Sequence, residues 1–506
     1  MNFFSNTGNK KGKKLKILFV TTEQKPFCQV GGLGTVMHSL PKALSELGHD
    51  SRVIMPKYLT VEDEKGNILP HAQDIMVPTE NETGEAFLVC NVKKYKGGTE
   101  KEKPNTTYFL ENMEYYEKRA NPYGYADDTI RWALLCKGTL EFLLVSDWIP
   151  DIIVCTDWPA GYLPNYLKTE YRKYTKLSKI ITVFSIHNIS HQGMFKHQFV
   201  SEMDYDAGQA PMPPLESERM KFMNGMRRGI MYADVINTVS ETYAREIVED
   251  VERGEGLSEL LAERRGILHG ILNGIDYDSW NPENDNFVPS HFNSKNLEAR
   301  SENKILVQKH FGLEESSDSF LVGIVSRLSD QKGFSLLDGS IEKLLEEIDL
   351  QLVIVGEGDS KYMNYFKKLQ EQFPRRVGFQ FNFDDKIPRL IFSGSDSILI
   401  PSKFEPSGLT QMEAMRYGSV PIVRKVGGLA DTVFDYSSMN SIATGFVFEK
   451  FDPFSFSIAV VRAYENFKNP TVWKMIQKNG MSQDFSWKSS AKVYEKVFFD
   501  TLSKIQ

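Results

Sequence analysis

Two sets of short apolar runs, separated by helix-length intervals, constrain this chain more than any other feature. The first set is Lys16–Thr21, Ser51–Met55, Pro150–Cys155, Ile180–Ile186 and Val235–Thr238. The second is Phe320–Ser326, Leu350–Val355, Val377–Phe381, Asp396–Pro401 and Val420–Arg424. A strand with one wet face alternates apolar and polar residues, whereas an unbroken Val/Ile/Leu run needs cover on both faces. The pattern predicts parallel sheets with helices on either side, an α/β doubly wound architecture. A chain of 506 residues exceeds what one core organises, so each set is expected to build its own domain.

Between the sets lies a polar, turn-rich stretch, Asn281-Pro282-Glu283-Asn284-Asp285-Asn286, continued by Pro289-Ser290-His291-Phe292-Asn293-Ser294. It places the expected divide at residue 290, giving domains 1–290 and 291–480. Residues 481–506 read as a helical tail able to pack back on the first domain, with Val493, Val497 and Leu502 on one side.

Net charge is −7, so the surface offers no general attraction to nucleic acid or acidic membrane, and an anionic substrate must meet local cations. The four cysteines, Cys28, Cys90, Cys136 and Cys155, form no CxxC pair or Cys/His cluster, and no metal site is expected. Their scatter fits a reducing compartment. Lys10, Lys11, Lys13, Lys14 and Lys16 precede Ile17–Val20, but that run is too short for a signal-peptide core and no small-residue cleavage site follows. No apolar stretch approaches the roughly 18 residues that span a bilayer. The expectation is a cytoplasmic protein.

Glu405-Pro406-Ser407-Gly408-Leu409-Thr410-Gln411-Met412-Glu413 joins the apolar run Asp396–Pro401 to a helix-compatible segment. A Gly-containing turn at a helix start points backbone N–H groups at an anion. Carboxylates flanking such a turn suit the hydroxyls of a sugar joined to a diphosphate. Gly31-Gly32 and Gly427-Gly428 each follow an apolar run and open a helical segment, an internal echo. Either pair also fits a tight turn with no ligand. Asn121-Pro122-Tyr123-Gly124-Tyr125 is an aromatic turn, suited equally to stacking on sugar rings and to loop packing.

These motifs, taken in order, resemble those of bacterial glycogen synthases and plant starch synthases. The likeness runs from about Lys16 to Tyr494 through Glu23–Leu44, Asn121–Asp128, Asp157-Trp158, His187-Asn188, Tyr232–Glu246, Gly270–Pro282, Ser326–Gly333, Glu405–Gln411, Gly427–Val433 and Asp484–Trp487. The resemblance implies a retaining glucosyltransferase of GT-B fold, with two Rossmann-like doubly wound domains facing a deep interdomain cleft. Domain 1–290 would be the acceptor-side, starch synthase catalytic domain, and 291–480 the nucleotide-sugar-binding domain. The implied reaction moves glucose from ADP-glucose to the non-reducing end of an α-1,4-glucan, with no cofactor and no metal. The implied partners are therefore a nucleotide sugar and a glucan.

By the same resemblance, Arg327 and Lys332 hold the diphosphate, and Glu405 holds glucose hydroxyls and stabilises the oxocarbenium-like transition state. Gly408, Leu409 and Thr410 give amides to the phosphates, and Gly31 and Gly32 let the donor approach closely. His187 donates to a donor-sugar hydroxyl, and Asp157 lines the cleft. Glu413 sits where related transferases meet the nucleotide ribose, although many bacterial glycogen synthases lack an acid there. Tyr123 and Tyr125 are the candidate acceptor contacts.

Two departures stand out. The family motif Lys-x-Gly-Gly-Leu is here Gln29-Val30-Gly31-Gly32-Leu33, and Thr35 replaces a frequent Asp. Gln29 donates hydrogen bonds but brings no charge to the donor. With Glu413, these departures keep open a related transferase using another donor or acceptor, or a catalytically impaired glucan-binding protein. A dinucleotide oxidoreductase is disfavoured, because no full GxGxxG fingerprint with a downstream acid is present.

Overall fold

Each set of apolar runs builds one sheet, in a computed structural model that describes residues 13–61, 66–79, 87–95, 105–195, 199–381, 384 and 386–505. Lys10 and Lys11 lie outside the described residues. The chain divides into two compact units. Unit 1 is Met1–Thr238, Ile247–His269 and Ser490–Gln506; unit 2 is Val239–Glu246 and Gly270–Ser489.

The strands of unit 1 are β1 (Lys16–Val20), β2 (Asp50–Pro56), β3 (Ile68–Pro78), β4 (Phe87–Tyr95), β5 (Thr106–Glu111), β6 (Ile152–Thr156), β7 (Ile181–Ile186), β8 (Val235–Thr238) and β9 (Leu268–Gly270). Among the described residues they form one sheet in the order β3-β4-β5-β2-β1-β6-β7-β8-β9. From β5 through β8 the neighbours run parallel. At the other edge β3, β4 and β5 pair antiparallel. That ribbon escaped the sequence pattern because β3 exposes much of its length and carries no continuous apolar run.

In unit 2 the strands are β10 (Phe320–Val325), β11 (Leu350–Val355), β12 (Val377–Gln380), β13 (Ser397–Ile400), β14 (Val420–Arg424) and β15 (Phe446–Phe448). Their order is β12-β11-β10-β13-β14-β15, and every pair is parallel. Alternate residues feed two cores. Phe320, Val322, Ile324, Leu352 and Ile354 pack on one side, and Leu321, Val325, Val353, Val355 and Ile398 on the other. An unbroken apolar run is what a sheet buried on both faces requires, and each such side chain contributes about 1.5–3 kcal/mol by burial.

The polar stretch around residue 285 is not a linker. Asp285 is buried in unit 2, where its carboxylate accepts from Arg389 Nη1 at 2.7 Å and from the Tyr417 hydroxyl. The units therefore part at His269/Gly270 instead of at 290. The tail also divides. The helix Trp487–Ile505 begins in unit 2, and its residues from Ser490 belong to unit 1. There Glu495 pairs with His49 at 3.0 Å. Val497 and Leu502 are buried as expected, but Val493 is exposed and Tyr494 and Phe498 complete the buried face.

In each unit the motif residues follow the carboxyl ends of adjacent parallel strands, the usual ligand position of open α/β sheets. Glu23, Asp157 and His187 follow β1, β6 and β7, which are neighbours in unit 1. Arg327 and Glu405 follow β10 and β13, which are neighbours in unit 2.

Candidate functional site

In unit 1 the turn after β1 is organised by a carboxylate. Glu23 is buried, and its Oε2 accepts from the N–H groups of Val30 at 2.7 Å and Gly31 at 3.0 Å. Its Oε1 accepts from the Tyr123 hydroxyl at 2.7 Å, and that hydroxyl also lies 2.5 Å from Thr22 Oγ1. The Gly31 amide is thus occupied by the chain's own carboxylate. The glycines themselves remain open: a Cβ added at Gly31 or Gly32 would meet nothing within 4 Å. Internal packing gives no reason for glycine here, whereas close approach of a ligand does.

Gln29 and Thr35, the two departures from the family pattern, touch one another. Gln29 Nε2 donates to Thr35 Oγ1 at 3.3 Å and to the Gly31 carbonyl at 3.4 Å. A neutral hydrogen-bonded pair stands where the family has Lys and Asp.

Asp157 adopts a left-handed backbone (φ 52°), which costs a non-glycine residue on the order of 1 kcal/mol. Its Oδ1 accepts from the N–H groups of His187 at 2.7 Å and Asn188 at 3.1 Å, so it ties the ends of β6 and β7 together. Burial pushes its carboxyl up to about 7, against the pull of those two N–H donors, and the Glu23 charge adds to the rise. His187 has its Nε2 3.1 Å from Ser185 Oγ. Burial lowers its imidazole to about 4, so the ring is neutral at pH 7.

The aromatic turn serves the protein's own packing. Tyr123 holds Glu23, and its ring packs edge-on against Trp132. Tyr125 has the guanidinium carbons of Arg119 and Arg131 each 4.8 Å from its ring centre, and its hydroxyl accepts from Asn121 N–H at 3.1 Å. Both rings are engaged by protein neighbours and both are partly buried.

In unit 2 Lys332 and Glu405 come together. Lys332 Nζ lies 2.5 Å from Glu405 Oε2, which also accepts from Ser402 Oγ at 3.0 Å. Gly333 makes this possible. It has φ +75°, and a Cβ there would lie 2.0 Å from the Pro401 carbonyl oxygen, so the turn bearing Lys332 presses on the end of β13. Arg327 is exposed, and its guanidinium has no hydrogen-bond partner among the described residues.

Gly408 turns the chain after Glu405 with φ +64°. Gln411 Nε2 braces the turn, donating to the Gly408 carbonyl at 2.7 Å and to Thr432 Oγ1 at 3.0 Å. The N–H groups of Gly408, Leu409 and Thr410 have no acceptor among the described residues. Glu413, on the helix Thr410–Arg416, is partly buried and its carboxylate has no hydrogen-bond partner among them. Burial raises it to about 7, opposed by the charge of Arg389.

The second glycine pair differs from the first. A Cβ at Gly427 would lie 2.0 Å from the Glu405 carbonyl oxygen, and one at Gly428 would lie 1.7 Å from that of Ser407. Gly428 N–H donates to the Glu405 carbonyl at 3.0 Å. These glycines let the helix Gly427–Thr432 abut the backbone that carries Glu405. Two carboxylates secure that helix: Glu246 Oε1 accepts from Gly427 N–H at 3.3 Å, and Asp431 accepts from Thr242 N–H at 2.9 Å and from its hydroxyl at 2.5 Å.

Sequence reasoning missed Glu23. The available signal was its place just past β1, matching Asp157 past β6 and His187 past β7. Among the described residues no group of three or more His, Cys, Asp or Glu side chains could hold a metal ion, and no helix is long and apolar enough to cross a membrane.

Known proteins resemble this chain over nearly its whole length. Residues 16–263 match the starch synthase catalytic domain, and residues 308–479 match the glycosyl transferases group 1 family. The glycogen synthase of Geotalea daltonii is 39% identical over 497 residues, covering 97% of this chain and 99% of that protein. The glycogen synthase of Clostridium perfringens is also 39% identical, over 96% of this chain and 98% of its own length. The catalytic domain of starch synthase IV from Arabidopsis thaliana, solved with ADP and acarbose, superposes with a TM-score of 0.80 at 33% identity, covering 97% of this chain and all of that one. The two α/β units have the GT-B fold, and the chain belongs to the glycogen and starch synthase family of glycosyltransferases.

Proposed function

We propose that this enzyme transfers glucose from ADP-glucose to the non-reducing 4-hydroxyl of an α-1,4-glucan, with retention at the anomeric carbon. The observation that carries the reading is the Lys332–Glu405 pair beside the open amides of Gly408, Leu409 and Thr410. One small region of unit 2 thus offers donors for a diphosphate and a carboxylate for a sugar. The starch synthase IV relative binds ADP and acarbose, a nucleoside diphosphate and an oligosaccharide analogue, which fits the same pairing.

In this reading Arg327, Lys332 and the turn amides stabilise the negative charge that grows on the diphosphate as the C1–O bond breaks. Arg327 and Lys332 supply that charge without a metal ion. The acceptor oxygen bonds to C1 from the same face, and its proton passes to the departing phosphate oxygen. The products are ADP and a glucan longer by one residue. Glu405 and His187 hold the glucose, and Asp157 shapes the site around donor and acceptor. Glu413 meets the ribose. Gly31 and Gly32 admit the donor past the Glu23-filled turn. The compartment proposed is the cytoplasm, which suits four free cysteines, all buried.

A second reading, a different nucleotide sugar, is favoured by the neutral Gln29–Thr35 pair. Rates with ADP-, UDP- and GDP-glucose, with glycogen as acceptor and with EDTA present, separate the two. The main reading expects ADP-glucose to lead and EDTA to have no effect. Preference for another donor supports the second reading, and glycogen binding without turnover from any donor supports a non-catalytic role. Gln29→Lys is expected to preserve the rate or to raise it by up to about 10²-fold, the worth of one positioned donor at a developing anion. A tenfold fall would contradict the placement of Gln29 beside the donor.

A further inference from the structure

The short helix Gly427–Thr432 and Gln411 grip one side of the turn that follows Glu405, carbonyl by carbonyl. Gly428 N–H donates to the carbonyls of Glu405 at 3.0 Å and Pro406 at 3.1 Å. Gln411 Nε2 donates to the carbonyls of Ser407 at 3.3 Å and Gly408 at 2.7 Å. Its remaining partner is Thr432 Oγ1 at 3.0 Å. Gln411 and Thr432 are both buried, and both belong to unit 2 with the turn. Gly408 makes room for the Gln411 amide: a Cβ there would lie 2.4 Å from Gln411 Oε1.

Peptide geometry converts this grip into an aim. The peptide bonds from Pro406 to Leu409 are trans. A trans peptide is planar, and its C=O and N–H point in opposite directions. Holding the Pro406, Ser407 and Gly408 carbonyls on one side therefore sends the N–H groups of Ser407, Gly408 and Leu409 to the other. None of the three has an acceptor among the described residues.

Proton counting fixes the amide that does the holding. Thr432 Oγ1 gives its single proton to the Gly428 carbonyl at 2.6 Å, an atom that only accepts. Its lone pair is left for Gln411 Nε2. A flipped Gln411 amide would set Oε1 against that oxygen and against the Gly408 carbonyl, three acceptors with no proton between them. Thr432 thus decides which way the amide faces, and the amide decides which way two peptides of the turn face. Oε1 has no donor among the described residues, so the hold comes from Nε2 alone.

We propose that Gln411, oriented by Thr432, is the positioning residue that aims the Gly408 and Leu409 amides at the diphosphate of the donor. The diphosphate rests on the function proposed above; the orientation of the peptides does not.

Calorimetric titration of the full-length protein with inorganic pyrophosphate, and separately with ADP, tests the assignment. Gln411→Met keeps the length of the side chain and removes Nε2; it is expected to weaken pyrophosphate binding about 10-fold, the worth of one hydrogen bond to a charged group. Thr432→Val keeps the shape and removes the oxygen, and is expected to weaken it about 3-fold, whereas Thr432→Ser, which keeps the hydroxyl, should stay within about 2-fold of wild type. ADP affinity should follow the same order. Unfolding curves serve as the folding control, and the Thr432 pair carries the test if Gln411→Met does not fold. Pyrophosphate binding by folded Gln411→Met that matches wild type overturns the proposal. So does a Thr432→Ser variant as weak as Thr432→Val, because lost packing would then account for both. A wild type that binds neither pyrophosphate nor ADP also overturns it. Pyrophosphate binding that follows the expected order, without glucosyl transfer from any donor, would instead sink the proposed function and leave the role of Gln411 standing.

Discussion

Glu405→Ala is expected to reduce glucan extension by at least about 10³-fold, mainly in kcat. Two losses combine. The carboxylate proposed to face positive charge at the anomeric carbon is gone, and an electrostatic group of this kind is worth about 10²–10³-fold. Lys332, proposed to meet the diphosphate, also loses the 2.5 Å partner that fixes its ammonium. Glu405→Gln keeps the shape and removes the charge, so it should recover part of the binding and little of the rate. Burial makes both variants safe to interpret only with a folding control, because Ser402 Oγ and Lys332 would lose an acceptor in the alanine variant. Unfolding curves are expected to remain cooperative, since the turn is also held by Gln411 and by Gly428 N–H on the Glu405 carbonyl. Activity within tenfold of wild type in Glu405→Ala would remove Glu405 from the chemistry.

Asp157→Asn is expected to make the protein more stable at pH 8 and less active. The folded-state carboxyl is raised to about 7 by burial, from a usual value near 4. Between those limits the folded chain holds a proton that the unfolded chain releases, so stability falls as pH rises through the window. The full cost stands above about pH 7. A displacement of this size corresponds to about 4 kcal/mol, and relaxation around the charge leaves an expected gain of about 1–2 kcal/mol for the isosteric amide. The side-chain oxygen of the new amide would still accept from the N–H groups of His187 and Asn188, so the β6–β7 tie survives. The gain should shrink toward zero as pH falls to about 4, where the wild-type carboxyl is protonated in both states. His187 acts in the opposite sense. Its folded value is lowered to about 4, so its contribution improves as pH rises from 4 to 6.5. In activity the variant should lose about 10²-fold in kcat if Asp157 acts as proposed, because a negative charge is removed from beside the proposed cationic transition state. Denaturant unfolding at pH 5 and pH 8, beside kcat, reads both effects. An Asp157→Asn variant that is less stable at pH 8 and fully active would contradict both halves.

Both predictions concern residues that the sequence singled out, while their surroundings were not legible there. The strands β1, β2, β6, β7 and β8 and the central strands of unit 2 were readable because burial on two faces demands unbroken apolar runs. The β3–β4 pair was not, since antiparallel strands with a wet face carry only a weak alternating signal. The divide between units was misplaced because Asp285 looks like linker composition until Arg389 and Tyr417 are seen to bury it. Among site residues, the family resemblance named Asp157, His187, Arg327, Lys332 and Glu405, and the fold sets the first of each motif just past a strand end. Contact partners needed three dimensions. Nothing in one dimension says that Gly31-Gly32 is open while Gly427-Gly428 is closed against the Glu405 turn. Nor does it say that Gln29 and Thr35 form one pair, or that Tyr123 is a brace for Glu23.

The most direct test follows radiolabelled glucose from ADP-glucose into glycogen by the wild-type chain, with the product digested by an exo-acting α-glucosidase. The proposal predicts label in the glucan that the α-specific enzyme releases completely as glucose, together with one ADP formed per residue added. No incorporation from ADP-, UDP- or GDP-glucose would contradict the proposed function, and label that resists the α-specific enzyme would contradict retention.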